Sequence, residues 1–238
     1  MLLAPAAKDP IVLSYLALRK AVGVVAVGLP FALSIPLLVL RQHIIEPSIS
    51  DYYYTGMRNL FVGSLCAIGM FMLCCRGYDR KDEIAGVFSA FCALGVAFLP
   101  KAPETGATSR QSHIGAAHYI FAALLFSTLA YFCLVLFKMS AANKTVTRKK
   151  VQRNRVYTAC GSVIIVSMVL IVVLKGLLKI DHLVGNVGTV FCFETTALLA
   201  FGTAWLTKGE TFLKDENPLP SITKTTDGHI LVAETAYK

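Results

Sequence analysis

Residues 21–40 run for twenty positions without a charge, closed by Lys20 on one side and Arg41 on the other. A helix rises about 1.5 Å per residue, so a run of this length crosses a hydrocarbon core about 30 Å thick. No water reaches the backbone inside such a core, so every N–H and C=O must be satisfied within the chain, which for a single segment means a helix. Pro30 and Pro36 lie inside the run. Each removes a backbone donor and crowds the preceding turn, which predicts a kink.

Five more apolar segments follow, at about 59–75, 84–99, 114–137, 156–174 and 186–207. The second and third of the six are short and fit a bilayer with little tilt. The sixth ends in Trp205 and Lys208, an aromatic and a cation of the kind that anchors a span at the interface. The predicted fold is therefore all-α: a polytopic membrane protein with a six-transmembrane-helix bundle over residues 1–208 and a polar cytoplasmic tail over 209–238. Composition agrees. Charged residues make up 16% of the chain and mean hydropathy is +0.63, against about 25% charged in a soluble domain. No length remains for a second globular unit. Asp9-Pro10 reads as a helix start, and the long first run reads as a retained span rather than a cleaved signal. Gly63 with Ala67 and Gly86 with Ala90 have the spacing that lets helices approach closely. The tail, with Pro218, Pro220 and several threonines, reads as disordered or weakly structured. The two halves share no sequence repeat, which leaves an inverted-repeat transporter without support.

Six spans place both termini on one side. Of the 23 lysines and arginines, 17 fall on that side and six on the other. The positive-inside rule then puts both termini in the cytoplasm. The net charge of +9 is accounted for by this asymmetry and by lipid headgroups, with no nucleic-acid partner implied. Residues 138–155 carry seven cations and no acid. Their first reading is topogenic. Contact of Arg148, Lys149, Lys150, Arg153 and Arg155 with anionic lipid is the second.

Residues 46–61 join the first span to the second and crowd polar side chains into the outer mouth of the bundle. Ser50 and Asp51 read as nucleophile, ligand or helix cap, with a cap for the second span the leading reading for Asp51. Arg58 has the choice of Asp51, Glu194 or outer phosphates, and Arg58 or Asn59 is expected to face the bundle. Tyr52, Tyr53 and Tyr54 read as an interfacial aromatic belt, with substrate stacking the alternative. His118 lies about one turn inside the fourth span. Glu194 is the one acid deep in the sixth, where an ionisable group costs about 2.5–3.5 kcal/mol and must face protein or water. It is expected to point inward with at least one of Arg58, Asn59 or His118 near it, directly or through water. The expected polar pocket is thus Ser50, Asp51, Tyr53, Arg58, Asn59, His118 and Glu194. His113 and His118 lack the i, i+4 spacing of paired metal ligands, and no G-x-S-x-G, H-E-x-x-H or P-loop pattern occurs. No metal or cofactor is expected. The seven cysteines sit in or beside apolar runs and read as buried thiols.

The elements S-I-S-D-Y-Y-Y-T-G-M-R-N-L-F-V-G, R-G-Y-D and F-E-T-T-A-L-L-A-F-G-T-A-W-L-T-K-G-E resemble a group of uncharacterised bacterial six-helix membrane proteins over most of the chain. Under that resemblance Ser50, Asp51, Tyr53, Arg58 and Glu194 are the matching positions. The P-x-I-S-D element is similar, over a shorter stretch, to the DRAM and Frag/Sfk-like membrane families, which implies membrane-lipid organisation rather than a defined chemistry. A likeness to membrane hydrolases related to alkaline ceramidases fails at the metal ligands, since the late H-x-x-x-H pair is missing. Three functions follow as expectations: a lipid- or small-ligand-binding scaffold or sensor in the bacterial inner membrane, a hydrolase of lipid amides or esters, and a proton-coupled transporter using Glu194.

Overall fold

The computed structural model describes residues 10–39, 45–74, 80–103, 106–139, 147–180, 182–184, 187–213, 222–224 and 230–232. Six α-helices dominate: α1 (Pro10–Val39), α2 (Arg58–Cys74), α3 (Arg80–Phe98), α4 (Ser109–Leu134), α5 (Arg148–Leu170) and α6 (Thr189–Lys208). A 3-10 turn at Ile49–Tyr54 precedes α2. Two short antiparallel pairs complete the described structure: β1 (His182–Val184) with β2 (Val187–Gly188), and β3 (Ile222–Lys224) with β4 (Ile230–Val232). The second pair lies in the tail and consists of three residues on each side. An isolated hairpin of that size is marginal in water.

The helices form a closed ring. Each packs on its sequence neighbour, and α6 returns to pack along α1. The inward residues follow helical periodicity. On α4 they are Gly115, His118, Leu125, Leu129 and Phe132, and on α6 Phe191, Leu198, Phe201 and Trp205. The outward faces are apolar too: Val24 and Ile35 on α1, Phe91 on α3, Ile120 on α4 and Val166 on α5 are all exposed. A soluble bundle would turn charge outward there, whereas a surface this apolar suits lipid. Among the described residues four helices are long and apolar enough to cross a membrane, in the segments Ser14–Val39, Ser109–Lys138, Arg148–Leu177 and Thr189–Lys208. The chain is thus read as an all-helical membrane protein. At 17 and 19 residues, α2 and α3 are shorter, and α3 opens on Arg80, Lys81, Asp82 and Glu83.

Helix α1 begins at Pro10, the start that Asp9-Pro10 predicts, and stays one helix through Pro30 and Pro36. The Ser34 hydroxyl donates to the Pro30 carbonyl at 2.8 Å. Segment 156–174 belongs to a longer helix that starts at Arg148 and relaxes into a π-helical turn over Ile171–Leu177. Trp205 is not a lipid-facing anchor. It is 1% exposed and stacks among Phe132, Phe137 and Phe201. Of the small-residue pairs, Gly86 does lie against the Met72 carbonyl of α2, while Gly63 meets nothing. An equally close approach, between α1 and α6, is one the sequence pattern did not single out. A Cβ on Gly202 would lie 2.8 Å from the Gly23 carbonyl, and one on Gly23 would lie 2.9 Å from the Gly202 carbonyl.

Candidate functional site

The segment before α2 is tied down by its backbone first. The Phe191 N–H, an orphan donor in the first turn of α6, is taken by the Pro47 carbonyl at 2.9 Å. Gly188, at the N-cap of α6, makes room for this, since a Cβ there would collide with the Pro47 backbone. Two residues on, the Ile49 N–H donates to Glu194 Oε2 at 2.7 Å. Glu194 shares the inward face of α6 with Phe191 and Leu198. It therefore points inward as expected, and its direct hydrogen-bond partner is a main-chain amide rather than a side chain. Its charge also acts with those of Asp51 and Lys101.

Ser48 caps the 3-10 turn. Its Oγ accepts from the Asp51 N–H at 3.2 Å and donates to Asp51 Oδ2 at 2.7 Å. Asp51 is consequently not the cap of α2. Both its oxygens lie 2.8 Å from Lys101 Nζ, and the two side chains keep only 12–14% of their surface. The Lys101 carbonyl in turn accepts from the Tyr54 hydroxyl at 2.5 Å. Lys101 arrives from the α3–α4 connection, which Gly115 admits: a Cβ on Gly115 would sit 2.6 Å from the Ala102 nitrogen. Sequence reasoning missed Lys101. Its position one residue after Pro100 reads as the flank of a span, and nothing local pairs it with an acid fifty residues earlier.

The same connection brings the Leu99 carbonyl to 2.7 Å from His118 Nδ1. A carbonyl only accepts, so Nδ1 carries a proton. In the neutral ring Nε2 is then the acceptor, and it lies 3.0 Å from Ser50 Oγ. The result is a relay in which the Ser50 hydroxyl donates to His118 and His118 donates to a backbone carbonyl. Ser50 is 7% and His118 2% exposed.

The tyrosines divide. Tyr52 is wholly buried against Phe191, which removes it from an interfacial belt, and burial raises its phenol above the usual pKa. Tyr54 is exposed. Tyr53 lies edge-on to Tyr54 and beneath the Arg58 guanidinium, 4.2 Å from CZ to ring centre, and accepts from Arg58 Nη2 at 2.5 Å. Arg58 and Asn59 are both exposed. Of the seven sequence candidates, Ser50, Asp51, His118 and Glu194 therefore form one cluster with Lys101, and Tyr53 with Arg58 stacks at its edge. Asn59 stays outside: in the first turn of α2 Arg58, Asn59 and Leu60 are exposed and Phe61 takes the inward position. Asp181 lies outside the described residues. Among the described residues no three His, Cys, Asp or Glu side chains gather as metal ligands would.

The basic segment behaves unevenly. Arg148 and Arg155 are exposed and Lys149 is half-buried. Lys150 turns inward, donating to the Phe137 and Met139 carbonyls at 3.1 and 3.2 Å. Arg153 is buried and donates to the Leu213 carbonyl. Lys208 joins them on the Phe137 carbonyl at 3.2 Å, with Arg19 and Asp82 in electrostatic reach.

Comparison with family models, with curated proteins and with solved structures finds no match.

The Glu194 contact makes a graded prediction. Glu194→Leu leaves the Ile49 N–H without an acceptor and should cost about 1–3 kcal/mol, the desolvation cost of a stranded donor. Glu194→Gln keeps an acceptor oxygen and should cost less than about 1 kcal/mol. Denaturation of the two variants in mixed micelles checks this. Equal losses would mean that the charge of Glu194, not its acceptor oxygen, is what the fold requires.

Proposed function

We propose that the chain is a six-span membrane protein of a bacterial inner membrane, with both termini cytoplasmic, and that its outward cluster binds the polar end of a lipid or a comparable small ligand in a scaffold or sensing role. The resemblance to uncharacterised six-helix membrane proteins supports the same reading. Helices α2 and α3 occupy full places in the ring between α1 and α4, and 17 and 19 residues rise about 26 and 28 Å, which is close to the hydrocarbon thickness. With six spans, the excess of lysine and arginine sets the orientation. Exposed Arg148 and Arg155 with half-buried Lys149 then meet anionic headgroups of the inner leaflet, while Lys150 and Arg153 hold carbonyls of the protein itself.

The observation that carries the binding role is the partly exposed Asp51–Lys101 pair, set at one end of an otherwise apolar ring above the Ser50–His118 contact. It offers one acceptor and one cation in fixed positions, with the Arg58 guanidinium stacked nearby. A headgroup or ligand with both charges matches that pattern. The test is native mass spectrometry of the full chain released from lipid nanodiscs. Retention of a bound lipid or small molecule by wild type, and its loss in Lys101→Met, is expected. Equal retention by a folded Lys101→Met variant would remove the cluster from ligand binding.

A further inference from the structure

The geometry points to Ser50 and His118 as the nucleophile and general base of an acyl-transfer site acting on acyl esters of membrane lipids. The inference rests on the same outward cluster as the binding role and adds a reaction to it. Three features carry it. Ser50 Oγ and His118 Nε2 are 3.0 Å apart, within the range for proton transfer between a nucleophile and its base. The Leu99 carbonyl at 2.7 Å fixes the proton on Nδ1 and so leaves Nε2 free to accept, the orienting role that a third group plays in any such relay. The pair is 7% and 2% exposed within an apolar ring, so bulk water does not compete for the contact between hydroxyl and imidazole.

The chemistry balances without a metal. Ser50 Oγ forms a bond to the ester carbonyl carbon as its proton passes to His118 Nε2. The tetrahedral intermediate collapses with cleavage of the carbon–oxygen bond to the leaving alcohol, which takes the proton from His118. Water, activated by the same nitrogen, then attacks the acyl-Ser50 ester, releases the fatty acid and returns the proton to Ser50. Lys101 and Asp51 act on His118 with opposite sign, so their ion pair leaves the basicity of Nε2 largely to the Leu99 contact.

The full chain in nanodiscs is treated with an alkyl fluorophosphonate, and adducts are located by peptide mass spectrometry. One adduct is expected, on Ser50. Ser50→Ala should take none, and His118→Gln should react about 10²–10⁴-fold more slowly, the range for loss of a general base. A fluorogenic acyl ester gives a second readout on wild type alone, so a variant that fails to fold does not decide the matter: turnover should stop in proportion to adduct formed. Folded wild type with no adduct on Ser50, or His118→Gln labelled at the wild-type rate, overturns the inference. Lipid retention that persists in either case leaves the binding role standing, whereas loss of retention without loss of labelling would do the reverse.

Discussion

Lys101→Met should destabilise the protein by about 3 kcal/mol, at the lower end of the range for removing one partner of a buried ion pair. Lys101 holds both oxygens of Asp51 at 2.8 Å with little of either side chain in solvent. Methionine fills much of the same volume, so packing is nearly kept and the loss isolates the charge. What remains is a carboxylate supported by Ser48 alone. The 12–14% of surface that the pair retains is the reason for choosing the lower end. Asp51→Asn in the same background should recover a large part of the loss, because the stranded charge is gone. A double-mutant cycle by denaturation in mixed micelles measures the coupling, expected at the upper end of about 0.5–3 kcal/mol. A coupling near zero would show that the pair is a rim contact without consequence for the fold.

Gly188→Ala should cost at least as much. The added methyl would occupy the position of the Pro47 carbonyl, which is main chain and cannot rotate aside. To make room, residues 47–49 must leave α6. That movement breaks the Phe191 N–H bond to Pro47 and the Ile49 N–H bond to Glu194 together. Overpacking costs about 1–3 kcal/mol, and each stranded donor adds about 1 kcal/mol or more. A total above about 3 kcal/mol is expected. Gly28→Ala is the control. A Cβ at Gly28 meets nothing, so helix propensity alone predicts no loss, or a gain of up to about 1 kcal/mol. Melting temperatures of the two variants check the contrast. If Gly188→Ala is as mild as Gly28→Ala, the strap between Pro47 and α6 does not anchor the cluster.

How far the sequence could be read depended on the range of each interaction. Six helices were legible as apolar runs bounded by charge, and among the described residues four of them are long and apolar enough to cross a membrane. The inward direction of Glu194 was legible from the cost of leaving an ionisable group in hydrocarbon. Its partner was not, because a backbone amide carries no side-chain signature. Arg58 seemed the natural cation for an inward acid. It stacks instead on Tyr53, five residues earlier, a local contact that competes with any distant one. Lys101 and Leu99 enter the cluster only through the path of the α3–α4 connection over Gly115, which is a property of packing. The tautomer of His118 follows from a carbonyl nineteen residues away. Trp205 was misplaced for a related reason. An aromatic beside a cation at a span end suits the interface, yet Phe132, Phe137 and Phe201 offer it a buried seat.

The orientation of the cluster, and with it both functional readings, depends on the side of the membrane to which each helix end belongs. Ser109 opens α4, on the connection that carries Lys101, and Lys149 lies in the first turn of α5. Reporter fusions at Ser109 and Lys149, one active only outside the cytoplasm and one only within it, measure this directly. The six-span account predicts Ser109 outside and Lys149 in the cytoplasm. Both positions on the same side, or the two reversed, would contradict it.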